Sequence, residues 1–341
     1  MTFINEYTCA FLIAFCGCFA SMPLFIRLMH HISKKGQPIR DDGPKTHLVK
    51  KGTPTMGGVM VILWSLIATL LTAPLSNAFV QVAVFMMLAF GIVGFQDDYL
   101  KITNQSAYGG ISGRRRLFVE FLVSTVAILW IIAHLPAELA VQVEIPYWHI
   151  LLPLGAAYVA FGALVITGTT NAVNLTDGLD GLVSVPLMIA FACFGFIAYA
   201  SGEITLSQSL YLNYIPNVGA LSIVCLALIG ALLAFLCYNK KPAKIFMGDV
   251  GALGLGGVLA TMALCVKQEL LLAIIGGLFV IEAVSDIIQV GSFKLRKKRV
   301  FLMAPIHHHF EKMGWSEVKV VRVFWLFAFV CALLGLADLV W

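Results

Sequence analysis

Five short segments gather nearly all the residues that could do chemistry. One reads Gln96-Asp97-Asp98-Tyr99 and is followed by Lys101. A second, 171–181, holds Asn174, Asp177 and Asp180 among glycines and contains no lysine or arginine. A third runs from Asn239, Lys240, Lys241 and Lys244 to Phe246-Met247-Gly248-Asp249. The fourth is Lys50-Lys51-Gly52-Thr53-Pro54-Thr55, and the fifth is His307-His308-His309-Phe310-Glu311. Carboxylate oxygens are hard donors that suit Mg²⁺, which is commonly held by one or two Asp and completed by substrate phosphate oxygens. Lysines beside a helix start, and glycines that let backbone approach a ligand, also favour phosphate. The combination points to phosphoryl chemistry and leaves the substrate open.

Each segment also has an ordinary reading. The lysines could be a snorkelling flank, and Thr53-Pro54 reads as a helix cap with proline at the first helical position. Asp97 and Asp98 could be a solvated helix terminus, although the negative end of a helix dipole makes adjacent carboxylates costly and calls for a cation. Asp177 and Asp180 are spaced to share one helix face. The ligand spacing does not fit an EF-hand, and nothing near the histidines has zinc-finger or H-E-x-x-H spacing. The run Lys294 to Arg299 reads as an orientation signal and anionic-lipid contact.

These segments are joined by very apolar sequence. Of 341 residues, 60% are hydrophobic and 12% charged, against about 45–50% and about 25% in soluble proteins. Mean hydropathy is +0.92. A chain this apolar cannot cover a soluble surface, and its scattered Gly and Pro exclude collagen-like structure and disorder. The eight cysteines lie in apolar stretches without a C-x-x-C, so they read as buried hydrophobes.

With roughly 20 apolar residues needed per crossing, ten spans are predicted: 8–29, 53–73, 79–96, 117–135, 150–168, 182–200, 217–237, 250–266, 269–290 and 319–340. The first lacks a basic n-region and a cleavage site, and reads as a span. Nineteen basic residues fall in loops after odd-numbered spans, and only Lys267 falls after an even one. The positive-inside rule therefore places the odd loops in the cytoplasm and both termini outside. The expected fold is an all-α polytopic membrane protein, one domain over 1–341, with every polar segment on the cytoplasmic face. No internal repeat is found, and nothing points to nucleic acid.

The sequence closely resembles the phospho-N-acetylmuramoyl-pentapeptide transferase family, within the polyprenyl-phosphate N-acetylhexosamine-1-phosphate transferases. The matching segments are DDGPKTHLVKKGTPTMGG at 41–58, GFQDDYLK at 94–101, TNAVNLTDGLDGL at 170–182, IFMGDVGALGLGG at 245–257, GSFKLR at 291–296 and MAPIHHHFEKMGW at 303–315. The last is the most specific, because relatives using other sugars diverge there. The resemblance implies transfer of phospho-MurNAc-pentapeptide from UDP-MurNAc-pentapeptide to undecaprenyl phosphate in the bacterial inner membrane, giving lipid I and UMP, by a homodimer. It implies Asp249 as principal Mg²⁺ ligand, with Asp97, Asp98 and Asp177 completing an acidic centre. Asn174, Asp180, Asn239, Lys50 and Thr55 correspond to further active-site positions. Lys101 and Phe246 correspond to a uridine pocket, Phe246 stacking on uracil, and His307, His308 and His309 to groups that hold the sugar diphosphate or orient catalysis. Arg114-Arg115-Arg116 stands where one arginine and a lysine are expected, and Asp286 stands where an apolar residue is expected. The rival readings are a related GlcNAc-1-phosphate transferase and, from another class, a lipid or solute transporter.

Overall fold

The computed structural model describes residues 2–32, 50, 52–106 and 108–340. Asp41 to Lys45 and Lys51 therefore lie outside the described residues. In chain order the helices are α1 (Thr2–Ile32), α2 (Gly58–Thr72), α3 (Ala78–Thr103) and α4 (Gly113–His134). A hairpin of β1 (Gln142–Ile145) and β2 (Ile150–Pro153) precedes α5 (Ala157–Thr176) and α6 (Ser184–Ser201). Then come α7 (Ile204–Ser209), α8 (Leu221–Asn239), α9 (Gly248–Cys265), α10 (Glu269–Ile275), α11 (Gly277–Arg296), α12 (Ile306–Lys312) and α13 (Glu317–Ala337). Among the described residues, eight helices are long and apolar enough to cross a membrane, or nine if α10 and α11 are one span. The chain is thus an all-α, multi-pass membrane protein with one small hairpin among the described residues.

α9 is the axis of the bundle and is buried along nearly its whole length. Its Gly- and Ala-rich sequence explains this, because lipid supplies no hydrophobic drive between helices and close packing must replace it. α3 packs against it most extensively, with α5 on another side. Gly94 of α3 lies directly on the Asp249 carbonyl, where any Cβ would clash with backbone. That contact sets the polar ends of α3 and α9 side by side.

Six expectations are corrected. Thr53 and Pro54 do not cap a helix: α2 begins at Gly58. Residues 54–58 are instead held by backbone pairing, Phe246 N–H donating to Pro54 O (2.9 Å), Gly57 N–H to Phe246 O (2.8 Å) and Gly58 N–H to Met247 O (2.9 Å). With 15 residues α2 is about 22 Å long, short of a full crossing. The fifth stretch starts at Ala157 rather than 150, because Ile150–Pro153 pairs antiparallel with β1 in register Ile145↔Ile150. Asp97 and Asp98 are not at a helix end, since α3 continues to Thr103. Asp177 and Asp180 do not share a helix face, since α5 ends at Thr176 and Asp177 is its C-cap. The ninth stretch bends by 87° between α10 and α11.

At the end of the bundle opposite the basic loops, one ion pair is fully buried. Lys267 Nζ lies 2.9 Å from Glu269 Oε1, both side chains 0% exposed, and 3.9 Å above the Tyr158 ring. Tyr158 O–H donates to the same carboxylate oxygen at 2.5 Å. Burial pushes the Lys267 pKa down and Glu269 opposes that shift. Removing one partner strands the other charge. Lys267→Met should therefore lower stability by about 3–5 kcal/mol, whereas Lys267→Met/Glu269→Leu should recover most of the loss. Denaturant unfolding in detergent micelles measures both; a double variant as unstable as the single would contradict the pairing.

Candidate active site

The site is assembled from the last two turns of α3 and the neighbouring ends of α4, α5 and α9. α3 contributes Asp97, Asp98 and Lys101, α4 Arg116, α5 Asn171 and Asn174, and α9 Asp249. The Lys101 ammonium lies between two carboxylates, 2.6 Å from Asp97 Oδ2 and 2.9 Å from Asp249 Oδ2. Arg116 Nη1 reaches the same Asp249 oxygen at 3.3 Å, and Asn174 Nδ2 donates to Asp249 Oδ1 at 3.0 Å. Backbone amides hold the flanking acids: Ile111 N–H donates to Asp97 Oδ1 (2.7 Å) and Val250 N–H to Asp98 Oδ2 (3.1 Å). Gly248 sits beside Asp98 at φ +77°, and a Cβ there would lie 2.5 Å from Asp98 Oδ2 and 2.9 Å from Thr55 Oγ1. Only glycine meets both the conformation and the space. Thr55 Oγ1, which faces this point, is buried without a hydrogen-bond partner among the described residues.

Asp177 stands at the rim. Burial, then the charges of Asp249 and Asp98, raise its pKa well above the ordinary carboxylate range, opposed by the Gly248 amide. Carboxylates crowded this way favour an added cation. The donor set suits Mg²⁺ chemically, being all oxygen, and Asp97 with Asp249 provides the two carboxylates such an ion needs. Among the described residues no group of three or more acids, histidines or cysteines is placed to hold a metal ion by itself.

A second network holds other expected residues apart from that centre. Lys50 Nζ pairs with Asp180 Oδ1 (2.6 Å) and Glu317 Oε1 (2.5 Å), and Lys241 with Glu317 Oε2 (2.7 Å). Burial acts to lower the Lys50 pKa, but its hydrogen bonds to Asp180 and Glu317 prevail and raise it. Asp180 Oδ2 also accepts from Ala243 N–H (3.0 Å), and Asn239 Oδ1 from Gly181 N–H (3.0 Å). These bonds fasten the 178–183 turn to the end of α8 and the start of α13. Phe246 is half-buried, its backbone fixed by residues 54–57.

The three histidines diverge. His307 is buried with Nδ1 3.0 Å from Glu282 Oε2. His308 Nδ1 pairs with Glu311 Oε2 at 2.7 Å, and His309 Nδ1 accepts from Leu302 N–H at 3.1 Å.

Sequence reasoning missed three partners. Glu120 is fully buried, 3.4 Å from Arg116 Nε, and its Oε2 accepts from Asn171 Nδ2 at 2.6 Å, while Arg116 Nη2 donates to Asn171 Oδ1 at 2.9 Å. An acid one turn after an arginine inside an apolar span was the available signal for it. Asn171 was visible within its motif but lacked a role. Glu317 follows the capping Ser316 and looks like an ordinary first-turn acid.

Comparison with known proteins gives three matches that point to the same family. The family profile "Glycosyl transferase family 4" matches residues 80–267, and "Phospho-N-acetylmuramoyl-pentapeptide-transferase signature 1" matches 50–62. The chain is 51% identical over 306 residues to a protein named phospho-N-acetylmuramoyl-pentapeptide-transferase from Rhodopseudomonas palustris (strain BisB18), covering 89% of this chain and 85% of that one.

The Lys101 ammonium occupies the position between Asp97 and Asp249 that an added cation would share. Lys101→Ala should therefore be stabilised more by Mg²⁺ than the unsubstituted protein is, read as the shift in thermal midpoint. Equal shifts in both would contradict this arrangement.

Proposed function

The chain belongs to the phospho-N-acetylmuramoyl-pentapeptide-transferase family, within glycosyl transferase family 4, and from that premise we propose how its α3–α9 centre works. The enzyme transfers phospho-MurNAc-pentapeptide from a nucleotide-sugar donor to a lipid carrier in peptidoglycan synthesis. The donor is UDP-MurNAc-pentapeptide and the acceptor undecaprenyl phosphate. The protein lies in the bacterial cytoplasmic membrane as one domain, with the basic loops inside and both termini outside. The observation that carries this reading is the meeting of Asp97 and Asp249 at Lys101, with Arg116 and Asn174 beside them, at the end of the bundle that bears the basic loops.

An oxygen of the lipid phosphate attacks the sugar-linked phosphorus of the donor. The bond from that phosphorus to the bridging oxygen breaks, and the oxygen leaves with UMP. Both reactants are anions, so the main task is to offset charge. Lys101 and Arg116 are the cations nearest the centre. Asp249 and Asp97 would hold Mg²⁺, with Asp98 or Asp177 assisting, and the bound ion would withdraw charge from the diphosphate and stabilise the leaving phosphate. Asn174 and the amides on Asp97 and Asp98 keep the carboxylates oriented. Lys50, Asp180 and Asn239 fix the turn beside the centre, where Phe246 and Thr55 border the donor.

Attack is direct. A phosphate monoester has its second pKa near about 6, so the lipid phosphate is already largely ionised at neutral pH and needs little help from a base. Rapid quench with donor labelled at the sugar-linked phosphate should show label passing to lipid without residence on protein; a labelled Asp97 or Asp98 that forms and decays at the turnover rate would overturn this.

The assignment itself is tested by UMP release from purified protein given undecaprenyl phosphate and Mg²⁺. Release is expected with UDP-MurNAc-pentapeptide and not with UDP-GlcNAc, and should fall by about 10²–10³ in Asp249→Ala. Release with UDP-GlcNAc alone would identify the related GlcNAc-1-phosphate reaction. Release with neither donor would favour a transporter.

A further inference from the structure

We propose that Glu282 is a positioning residue for the transfer: it holds His307 by Nδ1–H, so that the Nε2 lone pair is presented at Gly178, beside Asp177, to accept a hydrogen bond from an N–H or O–H group of the donor's sugar. The inference rests on the reaction proposed above. Glu282 is a fully buried acid in α11, a helix whose opposite face exposes Ile281, Val284, Ile287 and Ile288. A carboxylate there is costly unless it is paired. Its Oε2 lies 3.0 Å from His307 Nδ1, while Oε1 has no hydrogen-bond partner among the described residues. A carboxylate at hydrogen-bond distance requires the proton on Nδ1. Nε2 is thereby left with its lone pair as an acceptor, in the manner of carboxylate–histidine pairs that orient metal-bound imidazoles.

The other side of the ring carries the second observation. His307 is 0% exposed, yet Nε2 is buried without a hydrogen-bond partner among the described residues. A stranded buried nitrogen costs about 1–3 kcal/mol. Nε2 abuts Gly178, where any side chain would collide with the ring. Gly178 directly follows Asp177, the residue that closes α5 next to Asp249 and Asp98. The neighbouring histidines have local roles, His308 paired with Glu311 and His309 receiving the Leu302 amide. Only His307 combines a carboxylate behind it, an unsatisfied nitrogen in front and a glycine that makes room. Glu282 and Gly178 thus act on opposite sides of one ring, from segments far apart in sequence.

The test is a mutant cycle on the reconstituted enzyme, measuring kcat and the KM for the UDP-linked donor. Glu282→Ala should lower kcat by about 10–100-fold with KM within about twofold, as expected for loss of an outer-shell orienting partner. Glu282→Gln retains an acceptor oxygen for Nδ1–H and should restore most of the lost kcat. His307→Ala should lose at least as much as Glu282→Ala, and the double variant should be no slower than His307→Ala alone. If the alanine variant does not fold, Glu282→Leu keeps the volume and serves in its place. Losses that multiply in the double variant, a Glu282→Ala kcat equal to the unsubstituted enzyme, or no recovery in Glu282→Gln would each overturn the proposal. UMP release by the unsubstituted enzyme is the reference. Its absence would count against the reaction, whereas a failed cycle in an active enzyme counts against Glu282 alone.

Discussion

Everything at the reactive end of this protein depends on one ammonium held between two carboxylates. Asp97 comes from α3 and Asp249 from α9, and Lys101 lies 2.6 and 2.9 Å from their oxygens. The helices approach closely at Gly94, which lies against the Asp249 carbonyl. At such distances in a poorly solvated site, unrelieved like charges would repel by several kcal/mol. Lys101 and Arg116 relieve that repulsion, and Glu120 with Asn171 holds Arg116 in place. Lys101 and Arg116 together thus offset part of the charge of these carboxylates.

A second layer positions this centre without entering it. Residues 54–58 pair through their backbones with 246–247, which sets Thr55 against Gly248 and Asp98. The Lys50–Asp180–Glu317–Lys241 network ties the turn after α5 to α8 and α13. In α11 and α12, the Glu282–His307 pair brings an imidazole to the other side of the same turn. The 178–183 turn is thus fixed from three directions. Catalytic geometry that must hold to a fraction of an ångström needs this kind of support.

Much of this architecture was legible in the sequence, for definable reasons. Apolar runs of span length and the asymmetry of basic residues are strong signals because the bilayer penalises every departure. Each of the ten stretches overlaps a helix, and among the described residues eight of these helices, or nine with α10 and α11 as one span, are long and apolar enough to cross a membrane. The misplacements share a cause. Ile150–Pro153 is apolar enough for a span but is consumed by pairing with β1, and Thr53-Pro54 has capping chemistry but is consumed by pairing with Phe246. Long-range backbone hydrogen bonds leave little trace in local composition. The same holds for Lys50, whose partners Asp180 and Glu317 lie 130 and 267 residues away. Glu120 and Glu282 announced themselves only as acids inside apolar helices, a signal that says an interaction exists without saying with what.

The most direct test is a cryo-electron microscopy structure in lipid nanodiscs with Mg²⁺ and a non-reactive UDP-MurNAc-pentapeptide analogue. The diphosphate should lie against Lys101 and Arg116, with the ion on Asp249 and Asp97 and the donor's sugar on the His307 side of the 178–183 turn. A diphosphate seated against Lys240, Lys241 and Arg322, with the Asp97–Lys101–Asp249 contacts unchanged, would contradict the account.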